Sequence, residues 1–342
     1  MVLKAHHLPQ PPDSADYIWR PARREDAPAI QQLMFDIEAV DQRGHAGSLD
    51  ERESEFDNPS LNPMTDTLLA LTPQGQVAAL AWVIAPPVGV QEYIAFLRGE
   101  VHPRHRQRGL GDFILTWMEA RGGEILATRP DNIPCFLRTS TANFLDDRIA
   151  LYQQHGFKPV RYFYRMRRDL SQPIPEALLP QGIRLAPWNP ELDSQTMETS
   201  NLAFRDHWGA IPYNEEAWHL LVTQQPAFRP DLTFLALLTG NGFANPVSGY
   251  SICRLDSKDN EIEGLKEGWI QELGVRQDWR RRGIAAALLC AGMRAMKASG
   301  LEYTGLGVDT ENTSGAVHIY ESLGFKSVQR GITFSKPLEP VW

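Results

Sequence analysis

The sequence predicts a mixed α/β (α+β) protein built from two copies of one domain, and three observations carry that prediction. Arg280-Arg281-Arg282-Gly283-Ile284-Ala285 lies between an apolar run, 269–275, and a helical run, 286–299, and so reads as strand, basic turn, helix. Arg106-Gln107-Arg108-Gly109-Leu110-Gly111 follows Val101 by the same five residues that separate Val275 from Arg280, and Tyr152-Gln153-Gln154-His155-Gly156-Phe157 repeats the later Tyr320-Glu321-Ser322-Leu323-Gly324-Phe325. The offsets, 174 and 168 residues, are about half of the 342-residue chain and far longer than a solenoid repeat. Finally, the order of elements does not alternate strand and helix as a doubly wound sheet would.

Taken in order, residues 1–16 carry Pro9, Pro11 and Pro12 and read as a frayed lead-in. Residues 17–21 read as a strand, and Asp26 caps a helix whose Ile30, Leu33, Met34 and Ile37 share a face and which reaches Val40. The polar stretch 41–62 has no clean period and suits a loop or irregular helix over a site. Apolar runs 67–71 and 77–84 flank Thr72-Pro73-Gln74-Gly75-Gln76, a hairpin signal. Then follow a strand at 93–101, the first basic turn, a helix at 112–120, a strand at 136–139, a helix at 146–155 stopped by Gly156, and a strand at 162–166.

Pro173, Pro175 and Pro180 cannot continue a helix or a central strand, so the linker is expected within 167–182, dividing the chain into domains 1–170 and 171–342. The order then restarts with a strand at 183–185, a helix at 192–204, a loop at 205–212 and a helix near 215–222. A hairpin of 232–238 with 247–254, the strand 269–275, the second basic turn with its helix, a strand at 303–308 and a helix at 315–323 complete it.

Composition narrows the function. With 42% hydrophobic and 22% charged residues the chain is ordinary globular material, and no window nears the roughly 18 apolar residues of a membrane span. The N-terminus lacks the apolar core of a signal peptide, so a cytoplasmic protein is expected. A net charge of −8 argues against nucleic acid as the main partner, and Cys135, Cys253 and Cys290 make neither a disulfide framework nor a metal quartet. No metal is assigned.

The two basic turns carry the chemistry. Glycine admits close backbone approach, and the N–H groups of a helix's first turn have no intrahelical partner, so with the arginines they suit a pyrophosphate. Taken singly, such a turn is an ordinary tight turn, and Tyr-x-x-x-Gly-Phe is a helix packed through its aromatic and ended by a glycine. A dinucleotide-binding reading of Gly109-Leu110-Gly111 fails, because Ile114 stands at the third glycine position and no acidic ribose ligand is evident.

The paired motifs resemble the GNAT family of acetyl-CoA-dependent N-acetyltransferases, whose signature is (Gln/Arg)-x-x-Gly-x-(Gly/Ala), over nearly the whole chain as two tandem domains. The resemblance implies, for each domain, a mixed, mostly antiparallel sheet flanked by helices, with acetyl-CoA as cosubstrate. It also implies that Arg280, Arg281, Arg282, Gly283, Ile284 and Ala285 hold the coenzyme pyrophosphate, that the strand edge at Leu273 and Val275 holds its pantetheine arm, and that Asn312 contacts the coenzyme. Tyr320 matches the family's general acid; Glu272 and Asp309 lie nearest the motifs as general base. In the first domain Val101, Arg106, Gln107, Arg108, Gly109, Leu110 and Gly111 form the matching cradle. There, however, Glu100 sits one place before Val101 where Glu272 sits three before Val275, and Asn143 precedes Tyr152 by nine residues, not eight, so this half binds coenzyme without necessarily catalysing.

His207-Trp208-Gly209 stands where the family's acceptor loop lies. The expectation is an N-acetyltransferase acting on a small-molecule amine, a monomer or homodimer, with chemistry in the second domain. A non-catalytic acyl-CoA sensor and a protein acetyltransferase stay open as alternatives.

Overall fold

The protein's structure, a computed structural model, describes residues 2–3, 8–12, 15–86, 92–130, 133–240, 242–311, 315–338 and 340–341. In chain order its elements begin with β1 (Val2–Leu3), β2 (Ile18–Arg20), α1 (Ala27–Asp41), α2 (Leu49–Glu55), α3 (Pro63–Asp66), β3 (Thr67–Leu71), β4 (Val77–Ile84) and β5 (Tyr93–Val101). Next come α4 (Leu110–Leu126), β6 (Cys135–Ala142), α5 (Asp146–Gln154), β7 (Lys158–Asp169), β8 (Ile183–Pro187), α6 (Asp193–Phe204), α7 (Glu215–Trp218) and β9 (Phe234–Leu238). The last are β10 (Val247–Arg254), α8 (Ser257–Glu263), β11 (Glu267–Val275), α9 (Ile284–Ala298), β12 (Tyr303–Asp309), α10 (Ala316–Ser322), β13 (Lys326–Pro337) and β14 (Pro340–Val341).

Two compact units result, Met1–Tyr162 with Gly331–Trp342, and Phe163–Arg330. In the first, β2, β3, β4 and β5 pair antiparallel in sequence, β5 pairs parallel with β6, and residues 331–337 of β13 close the sheet antiparallel to β6. The second follows the same plan: β8, β9, β10 and β11 antiparallel, β11 parallel with β12, and residues 163–169 of β7 antiparallel to β12. Each unit's sheet is therefore mixed and mostly antiparallel, and each is closed by part of a strand distant in sequence from the one it pairs with. The strand expected at 162–166 runs on through Asp169, and β13 was absent from the sequence reading.

Helices cover both faces of each sheet. In the first unit α4 buries Leu110, Ile114, Leu115 and Met118 against Ala95, Leu97 and Leu137, while α1 buries Ile30, Leu33 and Ile37 against Leu69, Leu80 and Trp82 on the other face. In the second, α9 is rich in Ala, Leu and Met, strong helix formers, and its Leu289, Met293 and Met296 meet Ile270, Leu306 and Val308. The opposite face is covered by Trp218 and the residues around α6, packed on Leu235, Tyr250 and Ile252. No helix among the described residues is long and apolar enough to cross a membrane.

Candidate active site

A bulge opens the second unit's sheet. On β11, Glu272 pairs with Ile252 and Ile270 with Cys253, so Gln271 is an extra residue without an opposite number on β10. The parallel pairing of β11 with β12 runs from Glu267↔Tyr303 to Ile270↔Leu306 and stops at that bulge. Beyond it, the β12-facing backbone of residues 271–275, Leu273 and Val275 included, has no strand partner among the described residues. That edge can receive an extended ligand by backbone hydrogen bonding.

Glu272 sits at the mouth of this wedge among three hydroxyls. The Tyr213 phenol donates to its Oε1 at 2.8 Å, the Tyr250 phenol to its Oε2 at 2.9 Å, and Ser200 Oγ to Oε2 at 3.1 Å. Burial and the facing Glu272 carboxylate push both phenols above their ordinary range, so both are donors at neutral pH. Tyr250 reaches Glu272 by lying across Gly274, where a Cβ would fall 2.4 Å from the ring. Tyr213 is held by Asn201, whose side-chain amide accepts from the Tyr213 N–H at 2.8 Å and donates to the Tyr213 carbonyl at 2.9 Å.

The cradle begins five residues past β11. Arg281 has φ +59° and Gly283, the residue before α9, has φ +81°, so the backbone folds into a concave row of N–H groups at the helix N-terminus. Arg280 is turned back onto the fold: its Nε donates to the Val275 carbonyl at 3.1 Å and its Nη2 to the Ala203 carbonyl at 2.6 Å, tying β11 to α6. Arg282 stacks 4.7 Å over the Trp279 ring. Ile284 is buried in the core, so it can offer the cradle only its backbone. The arrangement suits a pyrophosphate through N–H donors, with Arg281 and Arg282 exposed nearby.

Tyr320 lies on α10, 7% exposed, edge-on to Phe325 at 5.8 Å and packed with the β12 and α9 core. Burial pushes its phenol up to about 12, and its hydroxyl has no hydrogen-bond partner among the described residues. No hydrogen bond joins it to Glu272. Asp309 closes the turn after β12, its Oδ1 accepting the Glu311 N–H at 2.9 Å. Asn312 lies outside the described residues, and no group of His, Cys, Asp and Glu among those described can hold a metal ion.

The first unit repeats the backbone of the cradle and only some of its side-chain contacts. Arg106 and Arg280 share φ −66° and ψ 162°, Gln107 has φ +57°, and Gly109 has φ +79° at the start of α4. Arg106 Nε likewise reaches the Val101 carbonyl, and its two Nη atoms hold the Asp41 carboxylate at 2.7 and 2.8 Å. Leu110 is buried, Gly111 lies against Leu151, and Arg108 is exposed in the turn.

Counting back from Val101 and Val275, Arg98 stands where the second unit has Glu272, and Glu100 where it has Gly274. Glu100 accepts from Arg43 Nη1 at 2.8 Å and from Arg148 Nη2 at 2.5 Å. Arg148 lies one helical turn before Tyr152, on the face where the second unit has Ala316 before Tyr320. A charged trio thus fills this crossing in the first unit, where the second has Gly274, covered by the Tyr250 ring, and Ala316.

Sequence reasoning singled out Glu272 but not Ser200, Tyr213 and Tyr250, whose hydroxyls meet it. The one local signal was Gly274, since a glycine inside an apolar strand marks a close approach.

Residues 195–325 match the Acetyltransferase (GNAT) family. The mycothiol acetyltransferase of Thermobispora bispora is 31% identical over 231 residues, covering 66% of this chain and 70% of that protein. That of Thermobifida fusca is 26% identical over 324 residues, 80% of this chain and 97% of its own. Among solved structures, a GCN5-related N-acetyltransferase from Sphaerobacter thermophilus superposes with a TM-score of 0.72 at 27% identity, covering 95% of this chain and 97% of that one. A tandem GNAT protein from the clavulanic acid biosynthesis pathway, at 14% identity and a TM-score of 0.66, covers 96% of this chain and all of its own; it supports the fold alone.

Proposed function

From the premise that this chain belongs to the GNAT acetyltransferase family, as a tandem N-acetyltransferase similar to the mycothiol acetyltransferases, we propose that its second unit transfers the acetyl group of acetyl-CoA to a primary amine of a small molecule. The observation that carries the reading is the bulge at Gln271, which frees one edge of β11 beside a carboxylate and in line with an anion cradle. In this reading N–H groups at 281–285 hold the pyrophosphate, and residues 271–275 line up the pantetheine arm.

Glu272 takes a proton from the attacking amine as its nitrogen bonds to the thioester carbonyl carbon. Tyr320, protonated at neutral pH, gives its proton to the departing thiolate as the carbon–sulfur bond breaks. An amide and a free thiol result. The relatives are named for mycothiol, so an amino-sugar thiol precursor is the acceptor to assay first.

In the first unit the Arg43–Glu100–Arg148 trio occupies the crossing and Arg98 replaces the base, which makes that unit non-catalytic. The test is acetyl-CoA consumption with glucosamine, cysteine and a cysteinyl amino sugar, products being identified by mass spectrometry. Amide formation that Glu272→Gln lowers by about 10²–10⁴-fold and Glu100→Gln leaves intact supports the assignment. Turnover indifferent to Glu272→Gln would refute it.

A further inference from the structure

Three hydroxyls converge on Glu272 from three elements: Ser200 from α6, Tyr213 from the end of the 205–214 loop and Tyr250 from β10. No arginine, lysine or histidine forms an ion pair with it among the described residues. A carboxylate offers about four lone-pair directions. Tyr250 and Ser200 fill those of Oε2 and Tyr213 takes one on Oε1, leaving a single acceptor direction, also on Oε1.

We propose that Tyr213 and Tyr250 are positioning residues that aim this one free lone pair of Glu272 at the acceptor amine, and that Tyr213 couples the base to the acceptor loop. The proposal rests on Glu272 acting as base. It explains why Tyr213 is held so many times over. Asn201 brackets both its backbone groups, its ring lies edge-on to Trp218 at 5.4 Å, and its phenol ends on the carboxylate. Since Tyr213 closes the loop that carries His207 and Trp208, a loop displaced from its seat withdraws a hydrogen bond from the base. Charge-assisted bonds of this kind fix a carboxylate's rotamer.

The experiment compares Tyr213→Phe and Tyr250→Phe, alone and combined with Glu272→Gln, in the full chain with a cysteinyl amino sugar as acceptor. Acetyl-CoA hydrolysis by water is followed in parallel, so that one readout is independent of the acceptor. Phenylalanine keeps the ring packing and removes only the donor. Each single variant is expected to lower kcat about tenfold, with KM for acetyl-CoA within about twofold of the parent. In the Glu272→Gln background neither is expected to lower it further, because the partner through which it acts is gone. Asn201→Ala is expected to reproduce the Tyr213→Phe loss.

Equal tenfold losses in both backgrounds would overturn the proposal and make the tyrosines packing groups, as would an unchanged kcat in the single variants. A parent enzyme whose kcat is indifferent to Glu272→Gln would instead refute the assignment of the base.

Discussion

Glu100→Gln tests whether the first unit's crossing is locked by charge. Burial alone would raise the Glu100 carboxyl, but the guanidinium groups of Arg148 and Arg43, by charge and by hydrogen bonds, bring it down from 4.5 to about 2. A depression of that size corresponds to about 3 kcal/mol of stability, at roughly 1.4 kcal/mol per pH unit. Because the folded value is the lower one, this stability is fully present above 4.5 and is lost as pH falls toward 2. About 1.4 kcal/mol of it is gone by pH 3.5.

The glutamine variant removes the charge and leaves two guanidinium groups facing a neutral amide, which places it near the cost of breaking a buried pair, about 3–5 kcal/mol. For a unit of this size the first unit's unfolding midpoint should drop by about 6–20 °C at pH 7. Calorimetry and urea unfolding of the full chain at pH 7, 4.5 and 3.5 give the comparison, with the gap between parent and variant narrowing as pH falls. A loss below about 1 kcal/mol at pH 7, or a gap that does not narrow by pH 3.5, would refute the latch.

Three further outcomes follow from the same geometry. Arg148→Ala, which leaves Arg43 on Glu100, should destabilise the first unit by less than Glu100→Gln and leave turnover unchanged, as read by unfolding and acetyl-CoA consumption. Gly109→Ala and Gly283→Ala each force a side chain to positive φ at about 1–2 kcal/mol. Only at Gly283 does the new Cβ also meet a backbone atom, the Leu178 carbonyl oxygen at 3.1 Å, whereas Gly109 has nothing within 4 Å. Gly283→Ala should therefore be the more destabilising in urea unfolding and should weaken acetyl-CoA binding in calorimetry. With Tyr320 raised to about 12, turnover should show no alkaline loss assignable to its ionisation below that value, so any alkaline limb near pH 9–10 must persist in Tyr320→Phe.

What the chain revealed locally, it revealed well. The two cradles are set by short-range facts: a glycine at positive φ, an arginine five residues beyond a strand end and a run of helix formers after it. Their backbones agree within a few degrees. Features that depend on register were hidden. The bulge at Gln271 exists only as a mismatch between β11 and β10, and neither run of residues carries a mark of it. Tyr213 and Tyr250 lie 59 and 22 residues from Glu272, so no spacing rule connects them.

β13 was missed for a similar reason. Its first residues, 326–328, are exposed and lack a clean alternation, and its partner β6 lies about 190 residues away in sequence. The difference between the units was half legible. The displaced Glu100 was visible as a misfit, but its lock required Arg43 and Arg148 to converge from two other elements.

The most direct test of the central claim is the kcat of Tyr320→Phe with a small primary amine, measured beside its acetyl-CoA affinity by titration calorimetry. A general acid in the second unit predicts a fall of about 10²–10⁴-fold in kcat with affinity unchanged. An unchanged kcat at unchanged affinity would contradict it and make Tyr320 a core residue alone.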